Sequence, residues 1–407
     1  MKMLLLPAYF TPELVSDTPL DDARYEAYAS AGMEMELFTS TPTRGVSDED
    51  KQKYRKIKTE KMYDGKMTVH RFSMIDEGKN PIQRAIRYFL CFIKQYHYGK
   101  KQKDTDVIFV ISTPPIQGML AAMIKKKLHC RFVYNLQDIF PDTLVGADLA
   151  KKDGWLWKIG RRIENYTYRN ADKIIVISED FKKNILAKGV PEEKIEIVYN
   201  WVDEKAIHPV SKADNPLYEE FGLSREAFTV VYAGNLGNAQ NLNIILEAAP
   251  LLPHIQFVIF GTGGLEEEIR NYINKNNITN VHLNPIQPYE RVRYVYSLGD
   301  ACVVSCKEGL GGSALPSKTW TIMSCGRPVV ANFDEGELKE ILLNNDCGMF
   351  SHAGNVREFV DVIKYMADNP SRCTEMGLKA RQFILDNLTK EVGTRKYVDI
   401  IKSLIEE

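Results

Sequence analysis

The sequence contains no run of about 18 consecutive apolar residues, the length a membrane-spanning helix needs, which argues against an integral membrane protein. Its start, "MKMLLLPAYF", has too short an apolar core and no small-residue cleavage site for a secretory leader, and reads as a first buried strand. The seven cysteines, at 91, 130, 302, 306, 325, 347 and 373, are odd in number and form no Cys-x-x-Cys pair. They fit reduced, mostly buried thiols in a cytoplasmic protein better than a disulfide framework. The seven histidines are dispersed with no His-x-x-x-His spacing, so no metal is expected. Gly-x-Ser-x-Gly, low-complexity segments and short repeats are also missing.

What remains is a globular composition, 44% hydrophobic and 26% charged, in 407 residues, a comfortable length for two domains. The net charge of −1 hides an asymmetry, because positive charge gathers in the first half, above all between positions 51 and 103. A basic half suits nucleic acid, a membrane surface or an anionic substrate, and no nucleic-acid motif accompanies it. Two stretches carry that charge beside aromatics: "PIQRAIRYFLCFIKQYHYGKKQK" (81–103) and "KKDGWLWKIGRRIENYTYR" (151–169). Each suits either an interfacial segment on an anionic bilayer or an amphipathic helix packed on its own sheet.

Near-continuous apolar runs alternate with helix-like stretches, the pattern of parallel sheets covered on both faces. Strands are expected at "KMLLLP", "EMELFTS", "TVHRF", "DVIFVIS", "RFVYN", "KIIVIS" and "KIEIVYN". A second series follows at "FTVVYAGN", "IQFVIFG", "NVHLNP", "ACVVSC" and "RPVVAN". The joint falls in "NWVDEKAIHPVSKADNP" (200–216), and the apolar spacing of 390–407 predicts a final helix. The expected architecture is α/β, two Rossmann-like doubly wound domains (1–203 and 204–389) facing a central cleft, the last helix crossing back onto the first.

Chemistry is sought in the loops after the strands, where open α/β sheets bind ligands. In "GNLGNAQ", Gly234 and Gly237 bracket a turn that either presents amides to a phosphate or is an ordinary strand–helix connection. "GTGGLEEEIR" supplies Gly261, Gly263 and Gly264 without the dinucleotide fingerprint. "KEGLGGSALPSKTWTIMSCGRPVV" combines Gly309, Gly311 and Gly312 with Pro316 as helix start and Gly326 as helix end. Lys318 then stands in a first helical turn, where the dipole disfavours a cation unless an anion lies between them. In the first half, "YNLQDIFPDTL" puts Asn135, Gln137 and Asp138 at a strand end, as either sugar-hydroxyl partners or turn formers. Glu13 is the first carboxylate after the first strand.

"YAGNLGNAQNL", "FGTGG", "LPSKTWTIMSCGRPVV" and "QDIFPDTL" together resemble the retaining glycosyltransferases of family 4, with the GT-B fold, over nearly the whole chain. They are most similar to the bacterial O-antigen and capsule subgroup, including the fucosamine transferase type. The resemblance implies a second domain binding a nucleoside-diphosphate sugar, UDP-linked in most of this subgroup, with contacts from Gly234, Asn235, Gly237, Gln240, Gly261, Gly263, Gly264, Gly311, Gly312, Ser313, Ser317 and Thr321. It implies a polyprenyl-diphosphate-linked saccharide acceptor on the first domain, near Glu13, Asn135 and Gln137. It further implies a peripheral location at the inner face of the cytoplasmic membrane, and leaving-group stabilisation with no bound metal or other cofactor.

The sequence departs from the broad family at four positions. The family's two glutamates eight apart correspond to Ser313 and Thr321, and its Arg and Lys in the glycine turn to Asn235 and Gln240. Lys318 becomes the candidate cation for the diphosphate, Glu308 the candidate replacement for the first glutamate, and Asp138 a candidate at the reacting sugar. A nucleotide-sugar 2-epimerase and a catalytically silent GT-B binding protein are the alternative readings. The epimerase usually relies on carboxylates and histidines in the cleft, which have no candidates here; the silent protein is favoured by the missing glutamate and Arg/Lys pairs and opposed by the retained glycines and Lys318.

Overall fold

The apolar runs of the first half form β1 (Lys2–Leu5), β2 (Glu34–Ser40), β4 (Met67–Phe72), β5 (Val107–Ile111), β6 (Arg131–Leu136), β7 (Lys173–Val176) and β8 (Ile195–Ile197). Those of the second half form β9 (Phe228–Asn235), β10 (Ile255–Thr262), β11 (Val281–Asn284), β12 (Ala301–Ser305) and β13 (Val329–Phe333). Two strands lack an apolar run to announce them: β3 (Thr59–Met62), an edge strand with no buried side chain, and the short β14 (Gly348–His352). The computed structural model describes residues 1–13, 18–76, 81–143, 151–311 and 315–406.

Two compact units result, Met1–Tyr199 with Gly393–Glu407, and Asn200–Val392. The first holds an eight-stranded sheet in the order β3-β4-β2-β1-β5-β6-β7-β8. Every neighbouring pair in it is parallel except β3 with β4. The second holds a six-stranded parallel sheet in the order β11-β10-β9-β12-β13-β14, the doubly wound arrangement in which the chain works outward from a central strand and then returns to the other side. Strand order therefore reverses between β1 and β5 in one unit and between β9 and β12 in the other. Both reversals come from long crossover connections, which let helices cover the two faces.

Burial follows from that topology. In the first unit Leu4, Ile108, Val110, Phe132, Ile174 and Val176 of the sheet pack with Leu120, Ala121 and Ile124 of the helix Ile116–Leu128. In the second, Val230, Tyr232, Phe257, Ile259, Val303 and Val330 pack with Ile245, Phe359 and Ile363. All seven cysteines are buried and unpaired, and burial raises the thiols so that none is a ready nucleophile.

The last helix, Lys390–Glu406, leaves the second unit and joins the first from Gly393 onward. Tyr397 anchors it: fully buried, its hydroxyl donates to Asn135 Oδ1 at 3.1 Å, its ring meets Phe109 edge-on, and the Arg24 guanidinium lies 5.2 Å from the ring centre. Tyr397→Ala removes a large side chain from this contact and is expected to cost ~3–5 kcal/mol. Urea unfolding of the full chain should show this as an earlier midpoint. An unchanged midpoint would mean the helix contributes little to the unit.

Candidate active site

In the second unit the reversal of strand order puts the ligand position beyond the carboxyl ends of β9 and β12. Side chains alternate along β9, so Tyr232 and Gly234 share a face. The loop after β12 leads into the helix Lys318–Ser324, whose first residue reaches back over that face. Lys318 Nζ donates to the Tyr232 hydroxyl at 3.1 Å and lies 4.2 Å from the centre of its ring. Gly234 makes room for it: a Cβ there would come within 2.7 Å of Nζ, and its φ of +141° itself favours glycine.

No carboxylate among the described residues offsets this ammonium, and burial alone lowers its pKa to about 8. It stays mainly protonated at neutral pH, with only a phenol and a π-face for company. The phenol supplies no negative charge, since burial pushes the Tyr232 hydroxyl well above its usual range and keeps it neutral. Such a group is a standing attraction for an anion.

The surrounding glycines divide by cause. Gly261 and Gly263 are demanded by packing, because a Cβ would lie 2.3 Å from Gly234 O or 2.4 Å from Leu236 O. These contacts knit the turn after β9 to the turn after β10, with Leu236 N–H donating to Thr262 O and Leu265 N–H to Leu236 O. Gly264 faces open space and Gly237 abuts the Asn235 amide. Asn235 and Gln240 hydrogen-bond to each other at 3.3 Å across this turn. The helix Glu266–Lys275 then opens on three acidic residues, Glu266 to Glu268, as its dipole favours.

The loop after β12 corrects one expectation. The glycines there are expected to let backbone approach a ligand closely, but the Gly309 and Gly311 amides both donate to the Asp334 carboxylate, at 3.1 and 2.7 Å. Gly311 is glycine because a Cβ would collide with Phe333 and Cys306. Asp334 thus holds the loop from the end of β13, a role the first carboxylate after "RPVVANF" could have suggested. Glu308 is exposed on the same loop and Ser317 is exposed without a capping bond. Thr321 is half-buried one turn beyond Lys318. Gly312 and Ser313 lie outside the described residues. Tyr232 is the residue that sequence reasoning missed; its signal is a tyrosine two positions before a strand-end glycine.

In the first unit the expected acceptor residues turn inward, contrary to the sequence expectation. Asn135 is fully buried, its Oδ1 accepting from Tyr397 and from Gln137 Nε2 at 3.1 Å, so Asn135 ties β6 to the last helix and Gln137 braces it. Glu13 is fully buried too, its carboxylate accepting from the amides of Thr43 at 2.7 Å, Arg44 at 3.0 Å and Phe10 at 3.4 Å. Burial raises its pKa against the lowering effect of the Thr43 and Arg44 amides. Asp138 alone of this group is exposed, with its backbone amide donating to Ser112 Oγ at 3.1 Å. In the same unit, the basic stretches form the helices Pro81–Gly99 and Trp155–Asn170. Large apolar side chains stand in solvent on both: Ile86, Phe89 and Ile93 on one, Trp155, Leu156 and Ile159 on the other.

Among the described residues no three His, Cys, Asp or Glu side chains gather as metal ligands. The sequence does contain two Asp-x-Asp triplets, but Asp48 and Asp50 sit in the capped first turn of a helix and Asp106 accepts the Lys2 backbone amide. Neither lies at the β9–β12 site.

Residues 25–206 match the Glycosyltransferase Family 4 domain and residues 217–383 the Glycosyl transferases group 1 domain, which together cover most of the chain. The probable glycosyltransferase WbjE of Pseudomonas aeruginosa is 22% identical over 78% of this chain and 80% of its own. The putative colanic acid biosynthesis glycosyl transferase WcaI of Escherichia coli is 25% identical over 80% and 82%. Among solved structures, Anabaena HepE in complex with UDP-glucose superposes with a TM-score of 0.72 at 15% identity, over 99% of this chain and all of its own. The chain therefore belongs to the family 4/group 1 glycosyltransferases and has the GT-B fold.

The Lys318 environment makes a stability prediction of unusual sign. The folded-state pKa lies below that of a free lysine, so the penalty for burying the charge is full below about pH 8 and fades as pH rises toward ~10.5. Lys318→Met should therefore stabilise the unliganded protein at pH 7 by on the order of 1–3 kcal/mol and flatten the rise in stability above pH 8. Denaturation at a series of pH values checks this, and a variant less stable than wild type at pH 7 would contradict it.

Proposed function

We propose that this glycosyltransferase moves a sugar, with retention, from a UDP-linked donor to a polyprenyl-diphosphate-linked saccharide in capsule or O-antigen synthesis, at the cytoplasmic membrane face. The observation that carries the donor half is Lys318: a half-buried ammonium without a carboxylate, at the strand-order reversal of the second sheet. A nucleoside diphosphate supplies the missing negative charge. HepE, which shares the fold, binds UDP-glucose, and this supports uridine as the base. The polysaccharide role is supported by the name of WcaI, a putative colanic acid transferase.

In the proposed reaction the bond from the anomeric carbon to the diphosphate breaks and negative charge grows on the leaving phosphate oxygen. Lys318 meets that charge as it develops, in a site from which water is partly excluded. The acceptor hydroxyl attacks from the face the diphosphate leaves, and its proton passes to the departing oxygen. No bound metal takes part, since the ammonium does the work of charge stabilisation. Asp138, exposed, is the candidate for holding sugar hydroxyls, and Glu308, also exposed, the candidate replacement for the family's first glutamate.

The membrane half rests on the two basic helices. No helix among the described residues is long and apolar enough to cross a bilayer. Phe89 and Trp155, 57% and 75% exposed, can enter the headgroup layer while neighbouring Lys and Arg meet anionic lipid.

Three measurements follow. UDP should raise the melting temperature in the presence of EDTA, and a shift that needs a divalent ion would contradict the metal-free reading. Lys318→Ala should lower kcat by ~10²-fold or more with the fold intact, and unchanged turnover would remove Lys318 from the mechanism. The Phe89→Asp/Trp155→Asp variant should sediment far less with phosphatidylglycerol vesicles, and equal sedimentation would place the membrane contact elsewhere.

A further inference from the structure

The first unit carries a cluster of cations that the donor site does not use. Its sheet reverses order at β1, and the loop beyond that strand presents Tyr9 and Phe10. Arg87, from the helix Pro81–Gly99, is fully buried with its guanidinium 4.8 Å from the centre of the Tyr9 ring. Its Nη2 donates to Ser40 Oγ at 3.0 Å, while Nε and Nη1 have no hydrogen-bond partner. Arg71, at the end of β4, lies 5.4 Å from the Phe10 ring, and its Nη1 is likewise buried and unpartnered. Arg44 is exposed, 5.5 Å from the Tyr9 ring, and pairs with no carboxylate among the described residues.

The acids nearby are already spent. Glu60 holds the other two nitrogens of Arg71, at 2.8 and 2.6 Å. Glu13 gives its oxygens to the Thr43, Arg44 and Phe10 amides. Three guanidinium nitrogens are therefore buried without acceptors around one dipeptide, at the end of the sheet where ligands bind. Buried donors of this kind are rare in folded proteins because each forgoes its hydrogen bonds to water. Guanidinium groups in a fork arrangement match phosphate oxygens in geometry as well as charge.

We propose that Arg87, Arg71 and Arg44 form a phosphate-binding pocket around Tyr9 and Phe10, which takes the diphosphate joining the acceptor saccharide to its lipid. The assignment of that occupant rests on the transferase reading above; the pocket itself does not. Arg87 follows Ile86 and precedes Phe89 by two residues, so one helix turns a guanidinium inward and apolar side chains outward. A diphosphate held by the first leaves its hydrocarbon chain beside the second.

The test uses the full chain saturated with UDP, titrated calorimetrically with inorganic diphosphate and, separately, with geranyl diphosphate. One further site is expected, weakened tenfold or more in Arg44→Glu and in Arg87→Met, with UDP affinity unchanged. Equal affinity for the two probes would show that the pocket reads diphosphate alone; tighter geranyl diphosphate would add the lipid chain. Absence of a site beyond UDP, or the same affinity in both variants, would overturn the proposal. Arg44 is exposed, so its variant decides the matter if Arg87→Met does not fold. Failure of the transferase reading shows separately: UDP then fails to bind wild type, whatever the arginine variants do to diphosphate.

Discussion

A charged ammonium taken out of water must be answered by opposite charge, by donation to strong acceptors, or by losing its proton. Among the described residues Lys318 has only the Tyr232 hydroxyl and ring, and its lowered pKa reflects how incompletely these replace water. The organisation of the second unit arranges this imbalance and keeps it open. The order of the sheet brings the end of β9 beside the loop after β12, the short helix aims its first residue at that end, and the bare Cα of Gly234 admits the ammonium. Asp334 and the packing of Gly261, Gly263 and Gly311 fix the loops around it. Stability is given up locally, and in the proposed reading a bound diphosphate restores it.

The same physical logic recurs in the first unit with different residues. There the groups are arginines rather than a lysine, and what they lack is hydrogen bonds: Glu60 pairs with Arg71 and Glu13 lies near Arg87, yet three guanidinium nitrogens have no acceptor. Guanidinium groups keep their protons in proteins, and here burial shows as missing hydrogen bonds. Each unit thus holds cationic donors at the carboxyl edge of its sheet, which fits the proposed reading of two phosphorylated substrates.

Lys318 was legible in the sequence because a cation at a helix start contradicts the dipole, and that local conflict survives folding. The apolar strands were legible for a similar reason, each being a run buried on both faces. β3 was not, because an exposed edge strand such as "TEKM" needs no apolar pattern. Glu13, Asn135 and Gln137 misled because position at a strand end says nothing about which way a side chain turns. Their amide and hydroxyl partners, Thr43 and Arg44 for one and Tyr397 for another, are distant in sequence. The glycines misled in part as well: a glycine that lets two backbones touch looks the same in sequence as one that admits a phosphate. Arg71 and Arg87 were visible only as members of a basic stretch, since their burial and unmet hydrogen bonds belong to the tertiary structure.

The central claim is that the Lys318 ammonium waits for a diphosphate, and its own titration tests this most directly. Nuclear magnetic resonance of the 13C-methylated lysines, assigned through the Lys318→Met variant, follows that amine alone as pH is raised. The account predicts a midpoint near 8 without ligand, moving upward by a unit or more when UDP is bound, because a neighbouring anion favours the protonated form. A midpoint of an ordinary lysine, the same with and without UDP, would contradict it.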